Sequence, residues 1–266
     1  MAEHTITSAA NPRLKALVGL RRRRRREEAG HTLLEGYDEL ALALDAGVRP
    51  LELYTCDDLM ADPRVQHDVV RRARDTGADV IRLSRQAFEK VAYREGADGF
   101  LAVVPSVGAT PRELQLPDRP LVLIAEGVEK PGNLGAMLRT ADAAGVDAVV
   151  ASNPVTDWGN PNVVRSSKGT VFSVPVATAT TAETFAWARE RGIRVVAATP
   201  AATSLHTDVD LTGPVAIAVG TEKEGLTDEA LDAADVLIRI PMSGKANSLN
   251  VATSAAIVLY EAVRQR

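Results

Sequence analysis

Beyond residue 120 the chain alternates short, nearly continuous apolar runs with stretches whose apolar residues recur every three or four positions. The runs at 121–125, 146–151, 171–176, 193–198, 215–219 and 236–240 predict β-strands, and 134–144 and 182–191 predict helices between them. Strands that alternate with helices imply an α/β fold with a mostly parallel sheet. The first hundred residues read as a smaller α/β unit. It has a basic helix over 11–25, strands at 31–35, 51–55, 80–83 and 99–104, and helices at 37–46 and 65–76 that stop at Gly47 and Gly77. Pro105, Pro111, Pro117 and Pro120 then crowd one stretch, which forbids regular structure and marks a linker. The expected organisation is a first domain over 1–106, a proline-rich linker over 107–119 and a second domain over 120–266.

The chain has 266 residues, enough for two such domains, and no apolar run long enough to cross a bilayer. Met1 to His4 open no cationic-then-apolar leader, so a cytoplasmic location is expected. Cys56 is the only cysteine, which excludes an internal disulfide and a thiolate-rich metal site. A net charge of −4 argues against an indiscriminate nucleic-acid binder. Against that average stands one run: Arg21, Arg22, Arg23, Arg24, Arg25 and Arg26, with Arg13 and Lys15 upstream and Glu27 and Glu28 behind. Such a run is either a solvated helical surface or a contact for a polyanion, which would relieve its self-repulsion by counterion release.

Candidate chemistry sits where predicted strands end. Ile124-Ala125-Glu126-Gly127 runs on to Asn133 and Arg139; Val219-Gly220-Thr221-Glu222-Lys223-Glu224-Gly225-Leu226 follows another strand; Ile240-Pro241-Met242-Ser243-Gly244 leads to Ser248-Leu249-Asn250. Loops of small and polar residues at strand carboxyl ends are where open α/β sheets bind ligands. No G-x-G-x-x-G occurs, which counts against the ordinary dinucleotide fingerprint. Read locally, Asn133 and Ser248 are helix N-caps, Asn250 is a first-turn polar residue, and Glu222 caps the helix that follows it.

In this order and spacing the three segments resemble the motifs of the SpoU/TrmH family of RNA ribose 2′-O-methyltransferases, in the SPOUT superfamily. The likeness extends over nearly the whole chain, through Asn11-Pro12-Arg13, Leu34-Glu35-Gly36 and Asn162-Val163-Val164-Arg165-Ser166-Ser167-Lys168-Gly169. It implies a second domain with a C-terminal deep trefoil knot and a first domain of ribosomal-protein L30e-like fold that binds substrate RNA. It implies S-adenosylmethionine as methyl donor, held by Gly220, Ile240 and Leu249 with Thr199 and Met242 beside them. It implies a reaction centre of Asn133, Arg139, Glu222, Ser248 and Asn250, and the charge pattern adds Arg13, Lys15, Arg21 to Arg26 and Arg165 as the expected RNA contacts. Family mechanisms often make the arginine a general base, but a guanidinium with a pKa above ~12 is no proton acceptor. Arg139 is therefore expected to grip phosphate and ribose, and the acceptor stays open. No metal ligand set is present and methyl transfer needs none. Ribosomal (23S) RNA is favoured over transfer RNA because of the first domain; a non-catalytic RNA-binding or ribosome-assembly factor is the alternative. A homodimer is also implied; Ala252, Ala255 and Ala256, Leu259 and Val263 form an apolar stripe that must be covered, by a second subunit or equally by burial inside the first.

Overall fold

The computed structural model describes residues 4–245 and 247–266. By packing, the chain divides into two units: the part up to Val107 together with Trp158–Ser173, and Gly108–Asp157 together with Val174–Arg266. The segment Trp158–Ser173 thus packs with residues far before it in sequence.

In the first unit, strands β1 (His4–Ile6), β2 (His31–Glu35), β3 (Glu52–Thr55), β4 (Asp79–Leu83) and β5 (Phe100–Pro105) form one sheet in the order β1-β4-β3-β5-β2. Pairs β1/β4 and β3/β4 are parallel; β2/β5 and β3/β5 are antiparallel. Helices α1 (Pro12–Gly19), α2 (Arg23–Ala29), α3 (Tyr37–Asp45), α4 (Pro63–Asp75) and α5 (Arg85–Val91) accompany it, with a short helix Pro161–Ser166, α7 in chain order. The expected basic helix over 11–25 is two helices. Asn11 caps α1 by accepting from the Arg13 amide at 2.9 Å, and Leu14 and Leu17 bury its inner face. The arginines beyond offer no apolar residue to prolong that stripe, and Arg26 instead folds back to donate to the carbonyls of Leu20 and Arg21 at 3.0 and 2.8 Å. Those carbonyls lie just past the end of α1, where partners are otherwise missing.

The second unit holds β6 (Leu121–Glu126), β7 (Ala148–Ser152), β8 (Val176–Ala179), β9 (Arg194–Ala198), β10 (Ser204–Leu205), β11 (Val215–Val219) and β12 (Val236–Arg239). Every pairing is parallel, in the order β10-β12-β9-β11-β6-β7-β8. β6, β7 and β11 are buried at every position, as parallel strands covered on both faces must be. Helices α6 (Pro131–Ala144), α8 (Thr181–Glu190), α9 (Asp228–Ala233) and α10 (Val251–Gln265) complete it. The chain runs outward from β6 to β8, then returns to β9 on the other flank. That reversal places a topological switch point near β6 and β11, and ligand sites gather there.

Two expectations fail for identifiable reasons. Residues 171–176 are not a strand: Gly169, at φ +83°, turns the chain into a 3₁₀ turn at Thr170–Phe172, and β8 begins only after Pro175, which cannot donate to a ladder. The proline-rich stretch is also more ordered than its composition suggests. Ala109 bridges Ala177 at the sheet edge, and Thr110 and Glu113 form a reciprocal capping box on the turn Pro111–Glu113. On α10, Ala252, Ala255 and Leu259 are buried within the unit as the helix packs on α6 and β11. That part of the stripe is covered within the subunit, while Val263 is 39% exposed. Among the described residues no helix is long and apolar enough to cross a membrane.

Candidate active site

The loops after β9, β11 and β12 and the start of α10 enclose a cavity of about 450 Å³. Thr199, Gly220, Ile240, Met242 and Leu249 all line it, with Glu222 and Ser248. The volume lies within the ~300–1,000 Å³ of small-molecule sites. The 221–225 loop closes on itself: the Thr221 amide donates to the Gly225 carbonyl at 2.8 Å and the Gly225 amide to the Thr221 carbonyl at 3.1 Å. This closure dictates Gly220, because a Cβ there would stand 2.1 Å from the Gly225 carbonyl oxygen. The missing side chain serves the loop's own backbone before it serves any ligand. Glu222 projects from this loop with Oε2 3.6 Å from Lys130 Nζ, while Oε1 is buried with no partner.

Asn133 is not a helix cap. Lys130 holds that position and Pro131 opens α6, since proline fits a first turn where its absent N–H is not missed. Leu134, Met137, Leu138 and Ala141 form the buried face of the helix. Asn250 rather than Ser248 caps α10, its Oδ1 accepting from the amides of Ala252 and Thr253 at 3.0 and 3.3 Å. Ser248, two residues earlier, is exposed in the cavity wall. The Asn250 amide nitrogen donates to Asn133 Oδ1 at 3.1 Å, joining the first and third motifs. Arg139 lies farther along α6, exposed, and is not among the residues lining the cavity.

One residue quoted in the motifs received no role from sequence and has a clear one here. Glu126 ends β6 and is 2% exposed. Its Oε1 accepts from the hydroxyls of Thr181 at 2.6 Å and Thr227 at 2.8 Å, and its Oε2 from the Thr227 amide at 2.9 Å. Thr227 is the N-cap of α9, directly after Leu226 in the cavity wall. The next residue, Gly127, has φ +61°, and a Cβ on it would approach Thr221 Cγ2 to 3.0 Å. Glu126 thus fastens the loop that carries Glu222. An acid closing an otherwise apolar strand was the available signal, since a buried carboxylate must find donors.

The cationic candidates belong to the first unit and divide sharply. Arg26 is 4% exposed with its charge turned inward, and Arg21 donates to the carbonyls of Val91 and Ala92 at the end of α5. Arg13 reaches Tyr54, Glu52 and Asp79 at 2.9, 2.7 and 2.9 Å. Desolvation opposes that charge, but the two carboxylates outweigh it and raise the guanidinium pKa. These three side chains are engaged with partners inside the unit. Lys15, Arg22, Arg23, Arg24, Arg25 and Arg165 are exposed. Of these, Arg23 pairs with Glu27, and Arg24 and Arg25 with Glu28, links worth little in solvent. Among the described residues no His, Cys, Asp or Glu cluster is arranged to hold a metal.

The sequence matches the model of the SpoU rRNA methylase family over residues 120–260 and that of an MRM3-like substrate binding domain over 11–102. It is 32% identical over 242 residues to the 23S rRNA (guanosine-2′-O-)-methyltransferase RlmB of Ralstonia nicotianae, covering 88% of this chain and 96% of that one. It is 31% identical to the 23S rRNA (guanosine(2553)-2′-O)-methyltransferase RlmP of Bacillus subtilis, covering 96% and 97%. The fold superimposes on the AdoMet-bound rRNA methyltransferase of Sinorhizobium meliloti with a TM-score of 0.89 at 30% identity, over 98% and 97% of the two chains. The family match, the relatives and the superposition define an RNA methyltransferase. The chain belongs to the SpoU rRNA methylase family, and it is an S-adenosylmethionine-dependent RNA ribose 2′-O-methyltransferase.

Proposed function

We propose that the substrate is 23S ribosomal RNA, methylated at the ribose 2′-hydroxyl of a guanosine. The single observation that carries this substrate is the likeness, over nearly the whole chain, to relatives named as 23S rRNA guanosine 2′-O-methyltransferases. The reaction centre is read from the convergence of the three motif loops, of which the second and third line one cavity and the third is tied to the first by the Asn250–Asn133 bond. The cavity suits the methyl donor. Val219, Ile240, Met242 and Leu249 offer apolar surface for an adenosine, and Glu222, Glu224 and Asp228 offer carboxylates for its cationic methionine part.

When bound, S-adenosylmethionine supplies an electrophilic methyl carbon. The chain's own residues bring the nucleophile to it, and such positioning accounts for a large part of the barrier lowering. Arg139, exposed and charged, grips a phosphate and the ribose of the target nucleotide. Asn133 and Asn250 orient the hydroxyl, Ser248 seats the nucleotide at the cavity rim, and Glu222 organises the loop over the donor. Lys15, Arg22 to Arg25 and Arg165 contact phosphates on the substrate-binding side. Residues 1–106 are the RNA-binding domain with an L30e-like fold, 107–119 the linker and 120–266 the catalytic domain, whose C-terminal part forms a deep trefoil knot. The enzyme works in the cytoplasm as a homodimer joined through the catalytic domain, where Tyr260 and Val263 of α10 are 50% and 39% exposed.

A transfer-RNA substrate and a non-catalytic assembly factor are the competing readings. The curated relatives named for 23S rRNA span both parts of the chain, and Arg139, Glu222 and Asn250 are all present. The test is methyl incorporation from labelled donor into deproteinised 23S rRNA and, separately, into bulk tRNA, followed by mapping of 2′-O-methyl positions. Incorporation into tRNA alone overturns the substrate, and none into either overturns catalysis.

A further inference from the structure

Tyr93 is held at several points, yet 39% exposed. Its amide donates to Glu35 Oε2 at 2.8 Å and its hydroxyl to Asn162 Oδ1 at 3.1 Å. The Arg21 guanidinium lies 5.5 Å from the ring centroid, itself fixed by bonds of 2.9 and 2.8 Å to the carbonyls of Val91 and Ala92. Immobilising a surface ring costs side-chain entropy that burial here only partly offsets. The chain has only four tyrosines, and this one presents a rigid face to solvent. Arg165, one turn of α7 beyond Asn162, is exposed and shares with Tyr93 the wall of a small cleft of about 20 Å³. No base enters so small a space, which leaves the exposed part of the ring as the surface a base could meet. Glu35, in the wall of the same cleft, has its side chain 11% exposed and its oxygens accept from the amides of Tyr93 and Arg94.

We propose that Tyr93 is a stacking platform for an unpaired base of the RNA substrate, stiffened by Arg21, with Arg165 placed for the adjoining phosphate. This rests on the substrate reading above and adds to it a contact mode: an aromatic face for a base beside a cation for the backbone. Aromatic platforms bind unpaired bases with little sequence preference because every base has a π-face. The run of arginines can contribute only affinity and salt dependence.

The test titrates full-length protein with transcribed 23S rRNA over a range of salt. Tyr93→Leu should weaken binding about 5- to 150-fold with the log K versus log salt slope unchanged, and Tyr93→Phe should keep most of the affinity. Calorimetric binding of S-adenosylmethionine by both variants should match wild type, which reports a folded catalytic unit. Ultraviolet cross-linking of the wild-type complex needs no substitution and should map to Tyr93. Binding by Tyr93→Leu within two-fold of wild type overturns the proposal, as does an equal loss in Tyr93→Phe or a cross-link map that omits Tyr93. A wild-type protein that does not bind 23S rRNA overturns the substrate reading instead.

Discussion

Asn250 donates from its amide nitrogen to Asn133 Oδ1 across 3.1 Å, and the cap at α10 dictates that polarity. The Asn250 oxygen is already committed to the amides of Ala252 and Thr253, so only its nitrogen can face Asn133. Asn133 must then offer its oxygen to Asn250 and turn its own Nδ2 elsewhere, where it is buried without a partner. A helix cap in the third motif thereby aims a hydrogen-bond donor in the first.

Asn250→Asp separates the two duties. The carboxylate still caps α10, so the melting temperature should stay near wild type. It cannot donate to Asn133, so methyl transfer should fall about 10²–10³-fold, the size of removing one oriented polar group from an active site. Asn250→Ala should remove both, including ~1 kcal/mol of stability for the cap. Denaturant melts alongside single-turnover rates check this, and an Asp variant with full activity would remove Asn133 from the reaction centre.

Arg139 is exposed on α6, so Arg139→Ala should change stability by less than ~0.5 kcal/mol. Methyl transfer should nevertheless drop about 10²-fold or more, while calorimetric binding of the donor is unchanged because Arg139 is not in the cavity wall. Arg139→Lys should recover little, since a point charge does not reproduce a planar fork on phosphate. Retained activity in either variant would sink the role given to this residue.

The arginine run should split by experiment as it splits in space. Replacing Arg22 to Arg25 by glutamine should lower the log–log salt slope of RNA binding by ~0.7–0.9 for each phosphate no longer neutralised, without loss of stability. Arg26→Ala should instead destabilise the first unit by ~1–3 kcal/mol, because the carbonyls of Leu20 and Arg21 are deprived of their shared donor. An unaltered slope in the first variant would reduce those residues to a solvated surface.

Glu261, 9% exposed, accepts from Arg264 at 2.9 and 2.7 Å and from Gln265 at 2.8 Å. The Arg264 bonds, then Gln265, hold its carboxyl down from 4.5 to about 2. A carboxylate whose folded pKa is depressed stabilises above its unfolded value and loses that contribution as acid protonates it. Glu261→Gln should therefore be less stable than wild type at neutral pH, with the gap closing between pH 4.5 and about 2. Urea midpoints across that range measure it, and a gap independent of pH would contradict the linkage.

The periodicity of the second unit determined β6, β7, β9, β11 and β12 and the helices α6 and α8, because a continuous apolar run such as 215–219 has no stable place except inside a covered parallel sheet. The family resemblance of the motifs picked out Thr199, Gly220, Ile240, Met242 and Leu249, which line one cavity. The sequence pattern was weaker where one residue type serves two ends. Six adjacent arginines read as one basic face, yet Arg21 and Arg26 turn inward to satisfy helix-end carbonyls. That choice depends on which backbone groups the fold leaves without partners. Glu126, Gly220 and Asn250 follow the same rule. The donors to the buried Glu126 carboxylate, the 2.1 Å backbone approach at Gly220 and the bond from Asn250 to Asn133 involve neighbours 5 to 117 residues away, and the folded chain alone brings those neighbours together.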